Sequence, residues 1–222
     1  SDEQHKDEGF TLDKALMSIR GNYRFYIVIS SVFVSFAFGE AVLFNLPFLQ
    51  LVPPLECYKE VNGTGAFLWQ DCEPEEACKS HVLMRPVQGH KYHLQNWADN
   101  FDLVCASEFE TGLIGAAIFA GLLLGALVLS PLSDSIGRKP THIIGLISFM
   151  SGSALMVFYV EYWSCVIATL LIGFGMYGRL VVSYLYCLEL VDEGHSKVVA
   201  TIAMTLNASC SGLVALYYIF GA

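Results

Sequence analysis

Apolar residues gather in five long runs separated by short polar stretches: Phe25–Val52, Thr111–Leu132, His142–Val160, Trp163–Leu190 and Val198–Phe220. A helix of about 20 apolar residues, rising about 1.5 Å per residue, crosses a hydrocarbon core of roughly 30 Å, so each run predicts a membrane-spanning helix. The first run is longer than that thickness, which predicts tilt or extension beyond it. Pro47 is expected to kink its outer end, and Pro53–Pro54 to stop it. Between the runs lie a polar tail (residues 1–24), a loop (53–110) too polar to span, the hairpin SPLSDSIGRKPT at Ser130–Thr141, the turn Glu161–Tyr162 and the turn Val191–Lys197. In the tail, Phe10, Leu12, Ala15, Leu16 and Ile19 recur near helical spacing, as in a short helix lying on a membrane surface or equally in a linker. The expected architecture is an all-α membrane protein of five transmembrane helices, with helices 2–5 in residues 111–222.

The hairpin between the second and third helices has its own chemistry. Asp134 precedes Arg138 by four residues, Gly137 supplies the tight backbone turn, and Pro140 suits the first turn of a new helix. In the second helix Gly121 and Gly125 give a GxxxG spacing, which lets another helix approach closely.

Composition agrees with this plan. Of the 222 residues, 55% are hydrophobic and only 15% charged, with a mean hydropathy of +0.52, whereas soluble domains are about a quarter charged. The net charge of −9 comes mainly from the tail and the long loop, outside the lipid, and says little about a ligand. An acidic, polar start is not a secretory signal, so the first helix is expected to direct its own insertion. Arg20, Arg24, Arg138, Lys139 and Lys197 lie at one set of loops, which predicts a cytoplasmic amino terminus.

The long loop then faces the opposite side. It carries four of the seven cysteines, Cys57, Cys72, Cys78 and Cys105, an even number consistent with disulfides in an oxidising compartment, with pairing left open. Asn62-Gly63-Thr64 is an N-glycosylation acceptor on that same side. His81, His90 and His93 follow no compact metal-binding spacing, so no metal is expected. Nor is any cofactor or nucleic-acid partner, and no nucleophile–base pair or phosphate loop points to an enzyme.

Ser133-Asp134-Ser135-Ile136-Gly137-Arg138-Lys139-Pro140 resembles the helix 2–3 signature of the major facilitator superfamily. The run from Trp97 to Phe101-Asp102-Leu103-Val104-Cys105 resembles the end of the large extracellular loop in the organic cation and organic anion transporter family. Glu189-Leu190-Val191 resembles that family's acidic site after helix 4, and Gly173, Gly175 and Gly178 its helix 4 glycines. The chain departs from the pattern at Ser130, where a Gly is usual, at Pro131, and at Thr169, where an Arg is frequent. Such transporters have two six-helix halves, so the chain reads as the front part of one, partnered by the lipid bilayer, a small organic ion and either the remaining carboxy-terminal helices or another membrane subunit. The resemblance implies transport by alternating access, in the plasma membrane; a structural or accessory subunit without transport is the alternative.

Charged residues inside spanning helices are costly and point to function. Glu40 and Arg179 fall at comparable depths, about 22 Å and about 16 Å from the cytoplasmic ends of helices 1 and 4. With Asn45 and Tyr186 they form the expected substrate-binding set, the other readings being a buried structural ion pair and snorkelling of Arg179 to the cytoplasmic surface. Aromatic groups on helix 1 (Phe33, Phe36, Phe38, Phe44) and helix 4 (Phe174, Tyr177, Tyr184, Tyr186) suit either organic cations or lipid and helix packing. Asp134, Gly137, Arg138 and Glu189 form the expected conformational latch, with Arg138 reaching Glu189.

Overall fold

The computed structural model describes residues 23–38, 41–60, 67–80, 83–87, 97–100, 103–158, 161–191 and 193–220. Glu40, Asn62, the segment 1–22 and the three loop histidines lie outside the described residues. The first apolar run gives two helices, α1 (Tyr23–Ala37) and α2 (Ala41–Leu49). Pro47 sits inside α2, which ends before Pro53–Pro54.

The loop after α2 is a small disulfide-stapled lobe whose β structure the hydrophobic pattern does not announce. Strands β1 (Leu55–Glu60), β2 (Phe67–Cys72) and β3 (Met84–Pro86) form an antiparallel sheet in the order β2-β1-β3. Tyr58 faces Trp69 and Glu56 faces Arg85 across it. Disulfides join Cys57 to Cys72 and Cys78 to Cys105. The first staples the β1–β2 hairpin, and the second ties α3 (Pro74–Ser80) to the 3-10 turn Leu103–Cys105. Ala98 in α4 (Trp97–Asn100) and Leu103 pack with Ile114 and Cys165, which seats the lobe on the helices beneath it.

α5 (Glu108–Ser135) starts at a capping box: the Ser107 hydroxyl accepts from the Glu110 backbone N–H, and the Glu110 carboxylate accepts from the Ser107 N–H at 2.8 Å. It is followed by α6 (Arg138–Phe158), α7 (Tyr162–Tyr177), a π turn (Gly178–Val182), α8 (Ser183–Glu189) and α9 (Glu193–Phe220). Among the described residues, four stretches are long and apolar enough to cross a membrane: Glu108–Ser135, Arg138–Phe158, Tyr162–Glu189 and Ser196–Phe220. Their outward residues include Leu127, Ile147, Val157, Phe158 and Trp163, all largely exposed, as a lipid-facing surface requires. At about 1.5 Å per residue α5 is about 42 Å long, so lobe and hairpin sit at opposite ends of it.

The centre of the bundle is α7, wedged between α5 and α6. A methyl group on Gly121 of α5 would lie 2.1 Å from the Leu170 carbonyl oxygen, and one on Gly173 of α7 would lie 2.1 Å from the Ile118 oxygen. On its other side Gly175 and Gly178 press on Gly145 and Phe149 of α6. The GxxxG face of α5 and Gly173 of α7 are therefore two halves of one helix–helix contact, and Gly175 and Gly178 belong to a second one with α6.

Candidate functional site

The continuous helix expected over Trp163–Leu190 contains one wide turn, Gly178–Val182, with α-helix on either side. Such π turns are rare and collect at functional positions. This one carries Arg179, only 8% exposed. A buried guanidinium needs partners. Its Nη2 donates to the Ser35 carbonyl of α1 at 3.2 Å and its Nε to the Ser35 hydroxyl at 3.4 Å, while the guanidinium carbon lies 4.2 Å from the Phe149 ring centroid on α6. One side chain thus joins α1, α6 and the π turn, in a cation–π contact and two hydrogen bonds. Its expected partner Glu40 is outside the described residues. The α1 partner of Arg179 among the described residues is Ser35, five residues before Glu40 in the chain.

Beside it His142 of α6 is also buried. Its Nδ1 lies 2.8 Å from the Ser183 hydroxyl and 3.3 Å from the Gly178 carbonyl oxygen. Neither His142 nor Ser183 belongs to the residues expected from the sequence. A signal existed: His142, Gly145, Phe149 and Gly152 recur at steps of three and four, one face of a helix, and a histidine in that stripe must face a partner.

At the opposite end of α6 from the lobe, Asp134, Gly137 and Arg138 of the hairpin lie beside Glu189, the last residue of α8. Gly137 has φ +96°, the left-handed conformation that ends α5 and lets α6 begin at the next residue. Arg138 then pairs with Asp134 at 2.8 Å and with Glu189, at the end of α8, at 2.9 Å, and it donates to the Ser133 hydroxyl. Pro140 occupies the first turn of α6, where its missing N–H costs nothing.

Two apolar cavities flank the first helices. One of about 570 Å³ lies between α2, α6 and α9 and is lined in part by Asn45, Ser153, Met156 and Tyr218. The second, of about 550 Å³, is bounded by Phe36, Phe44, Leu180, Tyr184 and Asn207. Tyr184 packs on Phe36 with ring centroids 5.6 Å apart. Tyr186 is half-buried and lines neither, because two residues along a helix turn a side chain by about 200°. Asn45 and Tyr186 are therefore not neighbours of one cavity, and Arg179 borders neither directly.

Comparison with known proteins adds the family context. Residues 69–216 match the family model described as sugar (and other) transporter. The chain is 29% identical over 149 residues to an organic cation transporter protein of Drosophila melanogaster, covering 67% of this chain and 27% of that protein. It is 29% identical over 174 residues to solute carrier family 22 member 7 of Mus musculus, covering 76% of this chain and 30% of that one. With organic cation/carnitine transporter 2 of Mus musculus the identity is 28% over 121 residues, or 54% and 20% of the two chains. The chain thus spans less than a third of the length of these relatives.

Proposed function

This chain belongs to the sugar (and other) transporter family, in the organic cation transporter branch of the major facilitator superfamily, and from that premise we propose that it moves a small organic ion across a membrane by alternating access. It is a multi-pass membrane protein of a family of transporters, not enzymes. The observation that carries the functional reading is Arg179: a guanidinium buried at the junction of α1, α6 and the π turn, with hydrogen bonds to a backbone carbonyl and a hydroxyl and an aromatic ring against it. A cation in a spanning helix is expensive to keep and is expected where a charged solute is handled. Glu40, in the residues just before α2, is its candidate counter-charge, so that the pair would admit ions of either sign by exchange of partners. Asn45 and Tyr184 border the flanking cavities and supply polar groups near the path.

The cluster of Asp134, Arg138 and Glu189 is the latch of this cycle. It holds the ends of α5, α6 and α8 together while the opposite side is open, and parts when this side opens. The topology that fits puts the hairpin and the amino terminus in the cytoplasm of a plasma-membrane protein, with the disulfide lobe and a glycan at Asn62 outside.

The test is uptake by cells expressing the full natural chain, with tetraethylammonium, benzoate and carnitine as cation, anion and zwitterion. One of these is expected to be taken up, with uptake strongly reduced in Arg179→Ala and Glu40→Gln. Uptake of all three at the level of untransfected cells, or unchanged uptake in both variants, would overturn the reading.

A further inference from the structure

The face that α6 turns toward α7 and the π turn is the stripe His142, Gly145, Phe149, Gly152. Each of the first three meets the π turn in a different way. Gly145 lies against the Gly178 backbone, so close that a methyl group there would stand 2.8 Å from the Gly178 Cα. Phe149 receives the Arg179 guanidinium on its ring. His142, 6% exposed, brings one nitrogen to both ends of the turn, 3.3 Å from the carbonyl of Gly178, its first residue, and 2.8 Å from the hydroxyl of Ser183, the residue that follows it. The Ser183 hydroxyl itself lies 3.4 Å from the same Gly178 oxygen.

A π turn is less favourable than an α turn, so something outside the helix must select it. Closing the turn back to α would rotate one flank against the other by about 100°, the angle of one residue, and carry Arg179 away from Ser35 and Phe149. We propose that His142 is the positioning residue for Arg179: it clamps the two ends of the π turn and so holds the guanidinium in place. The inference rests on reading Arg179 as a substrate group, and it specifies a proton position. The tautomer with the proton on Nδ1 bonds all three atoms: Nδ1–H donates to the Ser183 hydroxyl or to the Gly178 carbonyl, and the Ser183 O–H donates to the Gly178 carbonyl. In the other tautomer Ser183 must donate into the ring, and the Gly178 oxygen loses its side-chain donor.

The experiment has two readouts on the full natural chain. In nanodiscs, ¹⁵N-histidine spectra are expected to show His142 with the proton on Nδ1, and to lose that pattern in Ser183→Ala. In uptake of whichever of tetraethylammonium, benzoate or carnitine is transported, His142→Leu is expected to raise KM about tenfold with Vmax within twofold. His142→Asn, whose amide N–H can replace the donor, is expected to stay within threefold of the parent. Should His142→Leu fail to reach the membrane, the milder Ser183→Ala takes its place, with KM raised about threefold at an unchanged melting temperature. A raised KM in Arg179→Ala beside an unchanged KM in these variants overturns the positioning role and leaves the site intact. Unchanged uptake in both Arg179→Ala and Glu40→Gln overturns the site, and the positioning role with it; reduced uptake in Arg179→Ala at an unchanged KM overturns the positioning role alone. A proton on Nε2, or equal loss in the Leu and Asn variants, overturns the inference alone.

Discussion

Arg138 and Glu189 are 51 positions apart in the chain, yet the Arg138 Nε donates to the Glu189 carboxylate at 2.9 Å, joining the start of α6 to the end of α8. The same guanidinium holds Asp134 at 2.8 Å, so a single side chain binds three helix ends. The Arg138, Glu189 and Asp134 side chains are 22%, 51% and 68% exposed, and partly exposed pairs contribute only about 0.2–1 kcal/mol each. That weakness suits the reversible latch proposed above, since a contact of several kcal/mol would strongly favour one state. Arg138→Gln removes about 1 kcal/mol from the closed state, which lowers its population about fivefold and slows a cycle limited by return to that state. Slower turnover is expected, with substrate KM within twofold. The double exchange Arg138→Glu with Glu189→Arg should recover part of the loss in uptake, and undiminished turnover in Arg138→Gln would remove the latch from the mechanism.

Gly137 makes that geometry possible. At φ +96° any residue with a Cβ is strained, by about 1–2 kcal/mol. Gly137→Ala should therefore lower the melting temperature in nanodiscs. It should also slow turnover as Arg138→Gln does, because strain at the turn moves Arg138 off Glu189. A variant that melts like the parent would show that the hairpin relaxes freely around this residue.

Glycines along α5 and α7 separate into two kinds, and Ala substitution distinguishes them. Gly121→Ala places a methyl group 2.1 Å from the Leu170 oxygen, and Gly173→Ala does the same at the Ile118 oxygen. Backbone cannot yield as a side-chain tip can, so each is expected to cost about 3 kcal/mol or more and to reduce the folded protein recovered from membranes. Gly112→Ala meets nothing within 4 Å and replaces a flexible residue inside a helix. That change should stabilise by about 0.5–1 kcal/mol, read as a higher melting temperature.

Much of this arrangement is legible in the chain itself, for definite reasons. The spanning runs follow from hydrophobic length, and the hairpin from Gly137 beside two cations. The Arg138–Glu189 meeting follows from the family resemblance, since no local rule connects positions 51 apart. The lobe's sheet was not legible: β1 is the mixed string Leu55–Glu60, half of it charged or polar, and its strands are held by pairing and disulfides more than by a buried face. Nor was the π turn, because nothing in the string GRLVV at Gly178–Val182 distinguishes a wide turn from an α-helix that carries one cation. What selects it lies 36 positions away at His142, a tertiary contact that no window on α7 contains. Tyr184 lines a cavity and Tyr186 does not for the same kind of reason: which face of a helix meets a cavity depends on its neighbours, and the wide turn resets the register between Tyr177 and Tyr184.

The two disulfides have unequal consequences, although the spacing of the cysteines does not reveal it. Cys57–Cys72 closes 15 residues within one hairpin, and such a cross-link stabilises by about 3 kcal/mol through the unfolded chain. Its loss should remain local, since Tyr58 and Trp69 still pair across β1 and β2 and Arg85 still stacks on Trp69 at 4.1 Å. Cys78–Cys105 closes 27 residues, and Cys105 stands two residues before the Ser107 cap of α5. Breaking it frees α3 from the turn that seats Leu103 against Ile114 and Cys165, and so loosens the lobe from the helices. Cys78→Ser with Cys105→Ser is therefore expected to lower the melting temperature of the whole chain and to expose Ser107–Glu110 to hydrogen exchange. Cys57→Ser with Cys72→Ser should affect exchange only within β1 and β2. Peptide mapping without reductant should recover the 57–72 and 78–105 pairs, and either a crossed pairing or identical exchange patterns in the two double variants would refute this division of labour.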